Sequence, residues 1–94
     1  MLMMLTKEAT PLEIEPAVIG TLELEDFEVP YVDLEDLPLV HTTLVADGTG
    51  YSYDRSFPVR GHSAVMPAAV RELLGRGKQV LVAERRERYL VYVA

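Results

Sequence analysis

The sequence contains no cysteine and only two histidines in 94 residues. Without cysteine there is no disulfide framework, no cysteine-based metal site and no thiol nucleophile. His41 and His62 lie in no ligand-spaced motif, so the residues predict neither a metal nor a cofactor. No apolar run reaches membrane-spanning length. The opening Met-Leu-Met-Met-Leu is too short for a signal-peptide core and has no basic residue before it. These absences lead to the expectation of a cytoplasmic protein that contacts no membrane.

Signatures of catalysis are equally scarce. Ser52, Ser56 and Ser63 stand in no Gly-x-Ser-x-Gly setting. Gly-Thr-Gly and Gly-Arg-Gly lack the following helix and Lys-Ser/Thr of a phosphate loop. Glu13/Glu15 and Glu23/Glu25 are paired carboxylates on what reads as the wet face of a strand, where no burial raises a pKa for acid catalysis. The residues therefore predict a protein that is not an enzyme.

Positive charge is almost missing from one half. Residues 1–54 hold one lysine, Lys7, against twelve carboxylates, a net of −11. Residues 55–94 hold eight cations against three carboxylates, a net of +5. Such a split suggests a basic working surface beside an acidic one, or two halves that attract each other within the fold. Seven of the nine basic side chains are Arg, which suits bidentate contact with phosphate or guanine.

The acidic half alternates with period two. Leu12 and Ile14 oppose Glu13 and Glu15; Leu22 and Leu24 oppose Glu23 and Glu25. That pattern predicts strands with one wet face. Phe27 and Val29 continue on the other parity, which places a bulge at Asp26. Pro11, Pro16, Pro30 and Pro38 suit edge strands and turns. Residues 37–54 read as a hairpin turning at Asp47-Gly48-Thr49-Gly50.

In the basic half, Phe57 to Met66 reads as extended, and Pro67 suits a first helical turn. Val70, Leu73 and Leu74 make an apolar stripe, and Gly75 and Gly77 supply a stop. Two strands rich in Val, Leu and Tyr follow, joined by a charged turn in which Arg85, Arg86 and Arg88 read as solvated. The expected fold is mainly β (α+β), a small barrel or sandwich with one short helix. An acidic β-rich segment over 1–56 and a basic strand-helix-hairpin unit over 57–94 form one compact domain. The basic unit is too small to fold without the acidic half or a second copy.

Gly61, Val65, Met66, Pro67, Val70, Arg71, Leu74 and Gly75, followed by a strand, a charged turn and a strand, resemble the swapped-hairpin family of AbrB/MazE-like DNA-binding regulators and antitoxins. The resemblance covers about residues 57–94. It implies a homodimer whose protomers exchange hairpins, with basic residues on DNA and a separate segment that wraps a toxin. Arg71 takes the place of the motif arginine, Arg60 precedes the motif glycine, and Arg76 and Lys78 fall in the loop after the helix.

The expectation is thus a DNA-binding transcriptional regulator or antitoxin-like protein. Arg60, Arg71, Arg76 and Lys78 would hold DNA; Glu23, Glu25, Asp26 and Glu28 would hold a protein partner. The alternative is a non-catalytic interaction or structural protein, of the small binder kind that phages and plasmids encode, whose acidic face meets a basic partner. Where the basic side chains point separates the two: one outward face favours DNA, pairing with the acids favours the binder. Tyr51, Tyr53, Tyr89 and Tyr92 fit base stacking and a small β core alike.

Overall fold

The computed structural model describes residues 11–60 and 64–94, with the backbone of Lys7 and Glu8. Gly61 of the family motif, with His62 and Ser63, lies outside the described residues. The elements in chain order are β1 (Lys7–Glu8), β2 (Leu12–Ile14), a 3-10 turn (Pro16–Val18), β3 (Gly20–Glu23), β4 (Glu28–Asp33) and β5 (Val40–His41). They continue with β6 (Thr43–Ala46), β7 (Thr49–Pro58), α1 (Val65–Gly75), β8 (Val80–Arg85) and β9 (Arg88–Val93). Among the described residues the fold is mainly β with one α-helix, as the alternation predicts.

Seven strands form a curled half-barrel sheet in the order β2-β6-β7-β9-β8-β4-β3, and β1 pairs separately with β5. Three hairpins, β3–β4, β6–β7 and β8–β9, are antiparallel. The antiparallel β7–β9 pairing and two parallel ones, β2 with β6 and β4 with β8, complete the sheet. The β4–β8 pairing runs a strand of the acidic half beside one of the basic half. β7 itself crosses from residue 49 to residue 58 in one strand.

The turns follow their residue chemistry. Asp47-Gly48 has both φ angles positive, 53° and 81°, and Ala46 pairs directly with Thr49. This is the two-residue turn that Asp-Gly favours, because its twist matches that of the strands. Arg86-Glu87 makes the same kind of turn, with φ of 53° and 63°, although neither residue is glycine. Glu35 accepts the Arg86 backbone N–H at 3.0 Å and helps to hold it.

The parity change near Asp26 is a chain reversal, not a bulge. Glu25 and Asp26 are the two-residue connection of the β3–β4 hairpin, closed by the Leu24 N–H to the Phe27 carbonyl at 2.8 Å. Both events flip the pattern of exposed and buried residues, so alternation alone does not tell them apart. The bulge lies instead at Asp54, between the Tyr53–Tyr92 and Arg55–Val91 pairs. Pro30 sits in β4, one strand in from the edge. Its nitrogen faces away from β3 and lies just beyond the β4–β8 ladder, which begins at Tyr31, so no ladder bond is lost.

Two apolar clusters line the two sides of the sheet. Leu81 and Ala83 of β8, with Leu90 and Tyr92 of β9, pack against Ile14, Val32, Leu34, Leu44, Ala46 and Tyr51. Val80, Val82 and Val91 pack on the other side against Met66, Val70 and Leu73 of α1. Strands buried on both faces explain the unbroken runs Val-Leu-Val-Ala and Tyr-Leu-Val-Tyr-Val. On α1 the buried stripe is Met66, Pro67, Val70 and Leu73, while Leu74 is 38% exposed. Met66 belongs to the helix, which starts at Val65, rather than to the preceding extended segment.

Gly77 ends the helix. Its φ is +82°, the Lys78 N–H reaches the Leu73 carbonyl at 3.1 Å, and the Gly77 N–H reaches the Leu74 carbonyl at 3.0 Å. This is a Schellman stop, which favours glycine at the left-handed position. Gly75 is the last helical residue.

Candidate interaction surface

Arg60, Arg71, Arg76 and Lys78 are all exposed, and two of them, Arg71 and Arg76, pair with carboxylates of the same chain. Arg71 leaves α1 toward the β3–β4 tip and donates to both Asp26 oxygens, at 2.6 and 3.2 Å. Its guanidinium lies 5.0 Å from the centre of the Phe27 ring. A flat, bidentate donor suits a carboxylate and an aromatic face together. The Asp26 bond, its charge and the neighbouring Glu25 raise the guanidinium pKa still further above its ordinary value. Arg76 pairs with Glu72 at 2.7 Å, one turn back on the helix. Arg60 and Lys78 are exposed.

Arg85 departs from the solvated-turn reading. It belongs to β8, shares a face with Leu81 and Ala83, and is 8% exposed. Its guanidinium donates to the carbonyls of Leu37 at 2.9 Å and Pro38 at 2.6 Å. It thereby fastens the 34–39 loop to the sheet. Arg88 donates to Ser56 at 3.0 Å. Because the Val-Leu-Val-Ala run is apolar on both faces, its parity carries no signal that Arg85 is buried.

The acidic residues do converge. Glu23 ends β3, Glu25 and Asp26 form the turn, and Glu28 starts β4. With Leu24 and Phe27 they line an open depression at the hairpin tip. Glu23 and Leu24 also border a second, more apolar groove of about 150 Å³ between β3, the end of β7 and the start of α1. The apolar wall includes Leu22, Leu24, Val59, Met66, Pro67 and Tyr89. Counting Glu23, Glu25, Asp26, Glu28 and Arg71, this end carries a net charge of −3.

Three tyrosines are perturbed; burial and the Glu84 charge raise the Tyr89 phenol. Tyr31 donates to Glu84 at 2.6 Å; burial, that bond and the carboxylate charge push its phenol far up. Tyr92 donates to the His41 carbonyl at 2.7 Å, and burial pushes its pKa up to about 12. Tyr92 and Tyr53 meet edge to face at 5.7 Å. These contacts belong to the core rather than to an open stacking platform.

Among the described residues no group of three or more His, Asp or Glu side chains could hold a metal ion. No helix among them is long and apolar enough to cross a membrane. No family model matches the chain, no curated protein matches its sequence, and no solved structure matches its fold.

Proposed function

We propose that the protein is a non-catalytic interaction module whose acidic β3–β4 hairpin receives a positively charged segment of another protein. The observation that carries this reading is the Arg71–Asp26 pair. Arg71 is the side chain that most suggests DNA, and it is engaged by a carboxylate and a ring of its own chain. Contact with a phosphate would first have to break that pair. The hairpin, by contrast, presents carboxylates beside an apolar groove, a combination that attracts a cation and buries an aliphatic side chain.

A second reading keeps DNA as the partner, with the acidic hairpin on a toxin-like protein and two copies forming the DNA-binding unit. The exposure of Arg60, Arg76 and Lys78 favours it. In that arrangement the phosphate contacts fall to these three rather than to Arg71.

Fluorescence anisotropy separates the readings, using a labelled alternating Lys-Val decapeptide, its Glu-Val counterpart and a random duplex of about 30 base pairs, at about 50 and 200 mM salt. The interaction module binds the Lys-Val peptide, more weakly at the higher salt, and ignores the Glu-Val peptide. Duplex binding with no peptide binding would overturn the proposal in favour of the second reading.

A further inference from the structure

We propose, resting on the reading above, that the open edge of β3 is a strand-addition site for an extended partner segment that alternates cationic and aliphatic residues.

The main chain of β3 supplies the first part. Leu24 and Phe27 face each other as a hydrogen-bonded pair, so Leu22–Val29 and Gly20–Tyr31 are bonded pairs too. Thr21–Pro30 and Glu23–Glu28 are then the non-bonded pairs, consistent with Pro30 having no N–H. The N–H and C=O groups of Thr21 and Glu23 therefore point away from β4, toward the side where the sheet ends. An extended chain laid there completes the ladder, the geometry of strand-addition recognition.

The other sheet edge contrasts with this one. β2 is three residues long, with Pro11 before it and Pro16 close behind. Proline and brevity are ordinary protections of an edge. No proline lies in β3, and no lysine either.

The side chains supply the pattern. Leu22 and Leu24 pack with the helix-side cluster and wall the groove; Thr21 and Glu23 alternate with them along the strand, and Glu23 also borders the groove. In an added strand, residues opposite Glu23 share its face, and a cation there makes a cross-strand ion pair. Residues opposite Leu22 and Leu24 share theirs, and an aliphatic side chain there enters the groove. Glu25 and Glu28 extend the negative field past the tip. A second copy of β3 is the poorer occupant, because antiparallel addition sets Glu23 opposite Thr21 at best and supplies no cation to pair with it. The occupant is therefore a basic segment of a different protein.

The test uses the alternating Lys-Val decapeptide and a block peptide of the same composition, with every lysine placed before every valine. It adds two versions of the alternating peptide, N-methylated at every Lys amide or at every Val amide. Strand addition predicts about tenfold weaker binding for the block peptide and for one methylated series. The other methylated series, whose amides point to solvent, binds within about twofold of the parent. Loss in the Lys series means antiparallel addition; loss in the Val series means parallel addition, and either supports the site. Thr21→Pro, which removes one outward N–H, weakens the parent peptide about tenfold as well. If both methylated series bind as well as the parent, while Glu25→Lys with Glu28→Lys abolishes binding, strand addition is overturned and the acidic-surface reading stands. If the unmodified alternating peptide does not bind, both proposals fall together.

Discussion

Arg71 and Asp26 are separated by 45 residues, yet they meet through two hydrogen bonds at the junction of helix and hairpin tip. The contact ties the β3–β4 turn of the acidic half to α1 of the basic half. It also sets the account of function, because it engages Arg71 within the fold.

Removing either partner of this pair has a small effect, because both side chains are more than half exposed and water screens them. Arg71→Ala and Asp26→Asn each lower the melting temperature slightly, and the difference shrinks at high salt. The double variant is less destabilised than the two single losses added together, because the bond can be lost only once. Strict additivity in urea unfolding would contradict a working pair.

Arg85 has the opposite character, being buried with two carbonyl partners. Arg85→Met removes both bonds and leaves the Leu37 and Pro38 carbonyls short of donors, a cost of about 2–3 kcal/mol. Arg85→Lys recovers only part of this, because one ammonium cannot reproduce a two-pronged donor. Equilibrium urea unfolding checks both; a loss below about 0.5 kcal/mol in Arg85→Met would show that the loop does not depend on the guanidinium.

The Arg86-Glu87 turn is held in the left-handed region by two residues that disfavour it. Replacing the pair by Asn-Gly relieves that cost and keeps the backbone N–H that Glu35 accepts. The expected gain is about 1 kcal/mol, after allowing for the greater freedom of glycine in the unfolded chain. An unchanged or lower midpoint in denaturant would mean that the Arg86 or Glu87 side chain supplies compensating contacts.

Alkaline pH reports on buried Tyr92 and half-buried Tyr31. An exposed tyrosine ionises near pH 10, whereas Tyr92 in the fold waits until about 12 and Tyr31 is raised by burial and by Glu84. The unfolded chain therefore loses these protons first. Stability is fully present below about pH 10 and falls as the pH rises toward 12. Unfolding followed by phenolate absorbance shows delayed ionisation in the native protein. Tyr92→Phe is less stable at neutral pH, having lost the His41 carbonyl bond, but loses stability less steeply above pH 10. Native phenols that all titrate near pH 10 would contradict the buried geometry.

Local order was legible where a single chain segment decides it. Alternation at Leu12–Ile14 and Leu22–Glu25, Asp47-Gly48, Pro67 and Gly77 each carry a short-range steric signal. What pairs across the molecule was not legible. Nothing near Tyr31 announces that β4 will lie parallel to β8, and nothing near Arg71 names Asp26. The reversal at Glu25-Asp26 was hidden because neither residue is glycine and a bulge changes parity in the same way. The acidic cluster was visible as residue types; the groove beside it exists only once β3, β7 and α1 have packed. Arg85 was hidden by its charge, since long basic residues in a charged run are usually solvated.

The central claim is that the acidic hairpin, not the basic half, is the working surface. The most direct measurement compares two triple variants against the Lys-Val peptide and the duplex at about 50 mM salt. One carries Glu23→Lys, Glu25→Lys and Glu28→Lys; the other carries Arg60→Glu, Arg76→Glu and Lys78→Glu. The account predicts that the first loses peptide binding, the second keeps it, and the wild type does not hold the duplex. Tight duplex binding by the wild type, abolished by the second variant, would contradict the account and return the basic half to the centre of function.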